Sequence, residues 1–259
     1  LQGAVGAASV APLPTALGGA IDGGELQGRF VYDGAPHARK PVVITADKEF
    51  CGKQNILEEN VVVNPANRGL ANVFVWLYLG REDPPPPVHN SYAETEKAEI
   101  HMDCHGCRFD PHARVLRTTQ TLLICNLNPI GDSAKIDTLS NPPINIVIPI
   151  KGQWRQSYAS AERLPARVSC SLHPWESGWL LVKEHPYMAV TNADGQFAIK
   201  GLPPGKWTFQ FWHEQAGYVT EVNHQSKPTV WKRGRVELEI KPGENDLGEL
   251  LLAPDLFAS

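Results

Sequence analysis

The sequence predicts an all-β protein, and three observations support this fold class. Short runs rich in Val, Ile, Leu, Phe and Trp recur along the chain, and its 22 glycines and 22 prolines fall between them. Glycine and proline residues between short apolar runs are typical of strands joined by turns. Asp-Gly and Pro-Pro-Gly turn sequences flank several of the runs. The apolar residues follow no long 3.6-residue period, so we expect short helices at most.

Composition limits the classes of partner. The 259 residues include 20% charged residues with a net charge of -4, and Lys and Arg are scattered, so we expect no nucleic-acid partner. The apolar runs are shorter than the roughly 20 residues that span a bilayer, so we expect no membrane span. A chain of this length can form one large β domain or two ordinary ones.

Residues 1–20 form an apolar segment of Gly, Ala, Leu, Pro and Val, and the first charge is Asp22. We interpret this segment as an N-terminal arm. It is either the remnant of a secretion signal or an assembly arm that packs on a protein partner or a second copy.

The first half of the chain contains four strand signals. Residues 25–34 alternate and end at Asp-Gly, which predicts a strand running into a tight turn. Residues 71–79 predict a second strand, and four consecutive prolines at 84–87 place a boundary after it. Residues 113–117 and 121–126 predict two strands joined by a polar turn.

The second half begins with an expected irregular stretch and ends in strands. Residues 127–149, which contain Asn-Pro-Pro, predict a long irregular connection. Residues 178–182 predict a strand. Residues 190–199 and 201–212 predict two alternating strands around a Pro-Pro-Gly turn, with Asp-Gly forming a left-handed corner before the first strand.

The loop at residues 170–176 carries the strongest chemical signal. Cys170 and His173 lie three residues apart, just before the strand predicted at 178–182. A thiolate and an imidazole at this spacing can share a soft metal such as copper or zinc. In the alternative interpretation, Cys170 packs as a small apolar residue and His173 forms only local hydrogen bonds.

The other cysteines allow several arrangements. Five cysteines leave at least one thiol unpaired within the chain. Cys104-x-x-Cys107 is half of a zinc knuckle, to which Cys170 and His173 could add the other half, and a disulfide to Cys51 is the alternative use of Cys104 or Cys107. Cys125 lies in an apolar run and predicts a buried thiol.

Enzymatic chemistry has little support in the sequence. The chain has neither a Gly-x-Ser-x-Gly turn nor a glycine-rich phosphate loop, so we expect no enzyme. A hydrolase is the alternative, and it would need a nucleophile beside a base. His112, His185 and His213 each lie next to Pro or Glu, which favours structural roles.

Residues 190–212 resemble the second half of a carboxypeptidase regulatory-like, transthyretin-like β-sandwich. They contain Thr-x-x-Asp-Gly-x-Phe from Thr191 to Phe197 and Leu-Pro-x-Gly-x-Trp from Leu202 to Trp207. Residues 28–32 and 71–77 are similar to the first half of that sandwich. The resemblance implies that residues 21–83 and 187–259 form the sandwich and that residues 84–186 are inserted in it or joined to it.

The inserted part, residues 84–186, resembles a cupredoxin-like Greek-key β-sandwich. The residues that carry this resemblance are Phe109-x-Pro111, Cys125-Asn126 and Cys170-x-x-His173. The resemblance implies four ligand positions, which here hold Asp132, Cys170, His173 and Glu176. Asp132 stands where the family has a His, and Glu176 stands where it has a Met. Such a set suits zinc better than an electron-transfer copper.

The combination of both parts is similar to secreted bacterial proteins that pair a blue-copper-like domain with a regulatory-like sandwich. This resemblance implies a periplasmic or secreted location and a Cys51–Cys107 disulfide. Our first functional hypothesis is a non-enzymatic structural or interaction subunit whose metal site is degenerate and holds no cofactor. The alternative is a copper- or zinc-binding periplasmic electron carrier that uses Cys170 and His173 with further ligands, His112 among them.

Overall fold

The computed structural model describes residues 23–258, which are nearly all β. These residues form 20 strands, a four-residue α-helix (α1, Lys48–Cys51) and three short 3₁₀ helices (Asn90–Tyr92, Lys232–Gly234 and Pro254–Phe257). The strands are β1 (Gly24–Tyr32), β2 (Phe74–Leu77), β3 (Glu99–His101), β4 (Asp103–Cys104), β5 (Phe109–Asp110), β6 (Ala113–Arg117), β7 (Thr121–Cys125), β8 (Asp132–Asp137), β9 (Ile144–Ile148), β10 (Gln153–Ser157), β11 (Ala166–Ser169), β12 (Ser177–Lys183), β13 (Met188–Val190), β14 (Gln196–Leu202), β15 (Gly205–His213), β16 (Gly217–Tyr218), β17 (Glu221–His224), β18 (Lys227–Val230), β19 (Arg235–Ile240) and β20 (Gly243–Leu252).

One pair of sheets uses strands from both ends of the described chain, and we call it the split sandwich. Its sheets have the orders β14-β1-β20-β17-β18 and β13-β2-β15-β16, and β19 pairs with β15. Apolar side chains from both sheets share one core, including Phe30, Val75, Phe197, Phe211 and Leu250. The strands predicted on either side of the Pro-Pro-Gly turn are β14 and β15, and they lie in opposite sheets.

The second pair of sheets, β3 to β12, lies between the two parts of the split sandwich in the sequence, and we call it the inserted sandwich. Its sheets have the orders β10-β7-β3 and β6-β12-β11-β8-β9, with the small β4-β5 ladder beside them. Its core contains Phe109, Ile124, Ile136, Val168 and Leu180. The domain limits 21–83, 84–186 and 187–259 stay a prediction.

The prediction of an irregular connection at residues 127–149 is wrong. Two strands, β8 and β9, lie within it and pair antiparallel along five residues each. In β8, Ala134 and Ile136 are buried in the core, whereas Ser133, which interrupts the apolar pattern, is buried in contact with Cys170 and Ser171. Burial by the surrounding structure therefore outweighed the weak apolar periodicity of this segment.

The two sandwiches pack against each other through a separate apolar cluster. Trp212 and Phe74 of the split sandwich meet Trp179 and Leu181 of the inserted sandwich, and the rings of Trp179 and Trp212 lie 4.8 Å apart. Glu214 strengthens this contact, because its carboxylate accepts a hydrogen bond from Trp179 Nε1 at 2.9 Å. The interface therefore combines aromatic packing with a polar contact.

The long connection between β1 and β2 covers one end of the inserted sandwich. Within it, Cys51 at the end of α1 forms a disulfide with Cys107, which lies between β4 and β5. Ile56 and the partly buried Phe50 pack around this disulfide, together with Trp175 from the loop between β11 and β12. The disulfide thus attaches the connection beside the loop that carries Cys170 and His173.

Residues 1–22 and 259 lie outside the described residues. The N-terminal arm at residues 1–20 and its role in assembly therefore stay predictions. Within residues 23–258, no helix has the length and apolar character needed to cross a membrane.

Candidate metal centre

Antiparallel pairing of β8 with β11 brings the metal-loop residues to Asp132. Ser169 near the end of β11 pairs with Lys135, so the chain beyond Ser169 runs alongside the start of β8, where Asp132 lies. The loop then folds back, since Cys170 N donates to Glu176 O at 3.2 Å and Glu176 N donates to His173 O at 2.9 Å. This turn buries the side chains of Cys170, His173 and Glu176.

The four side chains predicted as ligands converge on one point. Ligand atoms of Asp132, Cys170, His173 and Glu176 all lie within 4.8 Å of one another. His173 Nδ1 lies 3.0 Å from Asp132 Oδ1, 3.2 Å from Glu176 Oε1 and 3.6 Å from Cys170 Sγ. Cys170 Sγ lies 3.2 Å from Asp132 Oδ1. All four side chains are buried.

These separations are close to those of a four-coordinate metal. Ligand atoms at about 2.0–2.3 Å from a tetrahedral centre lie about 3.3–3.6 Å from each other. The observed values of 3.0–3.6 Å around His173 Nδ1 fall close to that range. The spacing around His173 Nδ1 therefore suits a cation bound between these side chains.

Glu176 is the most unusual member of the cluster. The residue is 1% exposed, and neither carboxylate oxygen has a hydrogen-bond partner among the described residues. Oε1 approaches His173 Nδ1 at 3.2 Å without the alignment of a hydrogen bond. Burial raises the pKa of Glu176 to about 7. A buried carboxylate without a hydrogen bond, balanced only by one imidazole, is costly, and a cation is a partner that would relieve this cost.

The imidazole of His173 lies among carboxylates on both sides. The Glu176 carboxylate, with contributions from Asp47 and Asp132 and against the effect of burial, raises the pKa of His173 to about 10. A cation at the centre would compete with a proton for Nδ1, because metal ligation needs an unprotonated nitrogen. Burial raises the pKa of the Cys170 thiol, so a cation would displace a proton there too.

Asp47 is a member of the candidate site that the sequence did not predict. Its Oδ2 lies 2.9 Å from His173 Nε2, on the opposite side of the ring from the cluster. Carboxylates in this position orient metal-bound histidines and raise their basicity. The only sequence signal for Asp47 is its closeness to Cys51, because the disulfide brings this segment to the site.

Polar neighbours hold the remaining ligands in place. Asn128 Nδ2 donates to Asp132 Oδ2 at 2.8 Å, which leaves Oδ1 facing the cluster. Ser133 Oγ accepts from Ser171 N at 2.8 Å and lies 3.4 Å from Cys170 Sγ. The loop and the start of β8 are thus joined by hydrogen bonds as well as by the cluster.

The donor set does not fit a blue-copper centre. Such a centre needs two imidazoles and a thiolate with a weak axial donor, whereas this cluster has one imidazole and two carboxylates. The set of one sulfur, one nitrogen and two oxygens fits Zn²⁺, which accepts Cys, His and carboxylate ligands in tetrahedral sites.

The other sequence-derived candidates lie elsewhere. His112 forms an ion pair with Glu214 and lies 3.7 Å from Glu59 Oε2, so it belongs to the contact between the sandwiches and not to the cluster. The zinc-knuckle hypothesis is wrong, because Cys107 is in the disulfide with Cys51. The prediction of a buried Cys125 is also wrong, since this residue is partly exposed at the end of β7.

No family model matches the sequence, and no curated protein matches it. Parts of the chain are similar to solved structures of low identity. A mutant of amicyanin with Cu(I) is 11% identical, with a TM-score of 0.30, over 33% of this chain and 82% of that chain. A novel purple cupredoxin from Nitrosopumilus maritimus is 16% identical, with a TM-score of 0.27, over 34% of this chain and 100% of that chain. A copper-containing nitrite reductase from Thermus scotoductus SA-01 is 15% identical, with a TM-score of 0.30, over 42% of this chain and 25% of that chain.

Proposed function

We propose that this chain is a non-enzymatic, extracytoplasmic β protein whose inserted sandwich holds one structural cation of the Zn²⁺ type, meaning a borderline-soft divalent ion with four ligands. The ligands are Asp132, Cys170, His173 and Glu176. The observation that carries this proposal is Glu176, a buried carboxylate with no hydrogen-bond partner that faces three other ligand atoms. A degenerate site without metal would leave this carboxylate uncompensated apart from the nearby imidazole.

A structural cation agrees with the closure of the site. All four ligand side chains are at most 4% exposed. Structural zinc sites use four protein ligands, whereas catalytic sites keep one position open for water or substrate. The buried cluster offers no open position of this kind, which favours a role in holding the loop ends together over a role in catalysis.

The proposed extracytoplasmic location and the proposed folds of the two sandwiches rest on separate observations. The Cys51–Cys107 disulfide is typical of an oxidising, extracytoplasmic compartment. For the inserted sandwich we propose a cupredoxin-like fold, because Asp132 follows the loop after β7 and the other ligands lie between β11 and β12, as the family order requires. For the split sandwich we propose a transthyretin-like fold, on the residues 190–212 that resemble that family.

Metal analysis of the purified protein tests the proposal. Protein stripped with a chelator is titrated with Zn²⁺ and with Co²⁺, whose visible spectrum reports thiolate ligation. The wild-type protein is expected to bind Zn²⁺ tightly at the buried centre and to give a tetrahedral cobalt-thiolate spectrum. Glu176→Gln and Cys170→Ser should each weaken this binding at least 100-fold, and Asp137→Asn, an exposed change at the other end of β8, should leave it unchanged.

Two results would overturn the proposal. If Glu176→Gln and Cys170→Ser retain wild-type affinity, the cluster is not the binding site. If copper addition produces the intense visible absorption of a copper-thiolate centre and zinc does not compete, the electron-carrier hypothesis replaces the structural one. Circular dichroism of each variant separates a lost ligand from a lost fold.

A further inference from the structure

A second group of ligand-type side chains lies on the outer face of the inserted sandwich. The segment from His101 to Cys104 alternates, so Met102 and Cys104 are fully buried, whereas His101 and Asp103 point outward. In the neighbouring β7, Ile124 is buried and Cys125 faces outward in the same way. The two-residue period of the strands therefore places three ligand-type side chains on one face.

These three side chains are close enough to share one ion. Ligand atoms of His101, Asp103 and Cys125 all lie within 4.8 Å of one another. His101 Nδ1 lies 3.3 Å from Asp103 Oδ1 and 3.2 Å from Oδ2. The side chain of His101 is 50% exposed and that of Asp103 is 18% exposed, so the group is reached from solvent.

Hydrogen bonds from backbone and side-chain groups position the segments that carry this group. Met102 N donates to Leu123 O at 3.1 Å, which fixes the chain between His101 and Asp103 against β7. Cys125 N donates to Asp103 Oδ1 at 2.9 Å, so the carboxylate is already oriented beside the cysteine. Arg114 Nε donates to His101 O at 2.8 Å and anchors the other end of the segment. Preorganised ligands of this kind lose little conformational entropy on binding.

We propose that His101, Asp103 and Cys125 form a second metal site, open to solvent, for one cation of the Zn²⁺ type. The site supplies an imidazole, a carboxylate and a thiolate, and water completes the coordination. Three protein ligands with one open position make an exchangeable site, in contrast to the closed buried centre. This site shares no ligand with the buried centre and does not depend on it.

The first test counts the Zn²⁺ equivalents bound by chelator-stripped protein. Cys125→Ser and His101→Gln are each expected to lose one equivalent, or to weaken it at least tenfold, both in the wild-type background and in Glu176→Gln. His105→Gln is the matched control, because His105 Nδ1 lies 3.6 Å from Asp110 Oδ2 on the same surface without a thiol beside it. A Zn²⁺ equivalent that is lost in the single variant Glu176→Gln belongs to the buried centre, so its loss does not test the second site.

The second test uses the reactivity of Cys125, the one partly exposed residue among the three free cysteines of the described chain. Zn²⁺ should slow its alkylation by iodoacetamide at least tenfold, as followed by peptide mass spectrometry. This protection should persist in His105→Gln and disappear in His101→Gln. The proposal fails if Zn²⁺ does not protect Cys125 in the wild-type protein, or if Cys125→Ser and His101→Gln bind as many equivalents as the control.

Discussion

Asp47 Oδ2 lies 2.9 Å from His173 Nε2, although the two residues are 126 positions apart in the sequence. Asp47 belongs to the connection between β1 and β2, and His173 belongs to the inserted sandwich. The contact joins the two because Cys51, four residues after Asp47, is bonded to Cys107. Asp47 has a left-handed backbone, with φ 43°, just before α1, which non-glycine residues adopt at a cost. The surrounding structure therefore holds this carboxylate in an uncommon conformation beside the imidazole.

Asp47→Asn should weaken Zn²⁺ binding at the buried centre by about 10–100-fold, the usual effect of removing a carboxylate that orients a ligand histidine. Chelator competition measures this affinity. Glu49→Gln, an exposed change of the same type on α1, is the control. Equal affinities in Asp47→Asn and Glu49→Gln would show that Asp47 does not orient His173.

Removal of the disulfide should affect both stability and metal binding. Cys51→Ser with Cys107→Ser opens a link between residues 56 positions apart, which should lower the free energy of unfolding by about 2–4 kcal/mol. Urea unfolding measures this change.

The same double variant should also weaken Zn²⁺ binding, because Asp47 loses its anchor. Adding Asp47→Asn to it should have little further effect on affinity, since both changes remove the same contact. Fully additive losses of affinity would contradict a link between the disulfide and Asp47.

His213 should make the protein less stable in acid. Burial lowers the pKa of His213 to about 4, and its side chain has 0% exposure. The unfolded chain, with a histidine pKa near 6.5, therefore binds more protons between pH 6.5 and pH 4. The free energy of unfolding should fall by about 3 kcal/mol as the pH falls through this range and change no further below it.

Urea unfolding of wild type and His213→Phe at pH 7.5, 5.5 and 4.5 measures the contribution of His213. Glu214 and His112, whose charges act on His213, are present in both proteins, so the difference in pH dependence reports on His213. The variant should lose less stability in acid than the wild type does. Identical pH dependence in the two proteins would show that His213 is not the group responsible.

Trp212→Ala should weaken the contact between the sandwiches. Trp212 is 7% exposed and packs on Trp179 and Phe74. Loss of a buried Trp costs about 3–5 kcal/mol. Trp154→Ala is the matched control, because Trp154 is 39% exposed on β10, and its loss should cost less than about 1 kcal/mol. Equal losses in the two variants, measured by urea unfolding, would show that Trp212 does not support the interface.

Part of the fold follows from sequence patterns. Residues 25–34, 113–117, 121–126 and 178–182 predicted strands, and the structure has β1, β6, β7 and β12 there. These segments carry continuous or alternating apolar runs next to turn residues. Strand β8 was missed because its buried positions include Asp132 and Ser133, which serve the cluster and not the core.

The residues of the candidate site were also predicted from the sequence only in part. Cys170 and His173 are recognisable as a pair because they lie three positions apart, whereas Asp132 and Glu176 were placed through the family resemblance. Asp47 and the outward position of Cys125 left no local pattern. Both depend on contacts between distant segments, made by a disulfide in one case and by strand pairing in the other.

The sequence by itself determined the β class, the strands β1, β2, β6, β7, β12, β14 and β15 and the presence of a thiolate-imidazole loop, because these depend on local periodicity and spacing. Tertiary structure alone decided which carboxylates meet that loop, that Glu176 is buried without a hydrogen-bond partner, and that His101, Asp103 and Cys125 share an outer face. The physical reason is that the charge and burial around a side chain are set by segments far away in the sequence, whose pairing no local pattern specifies.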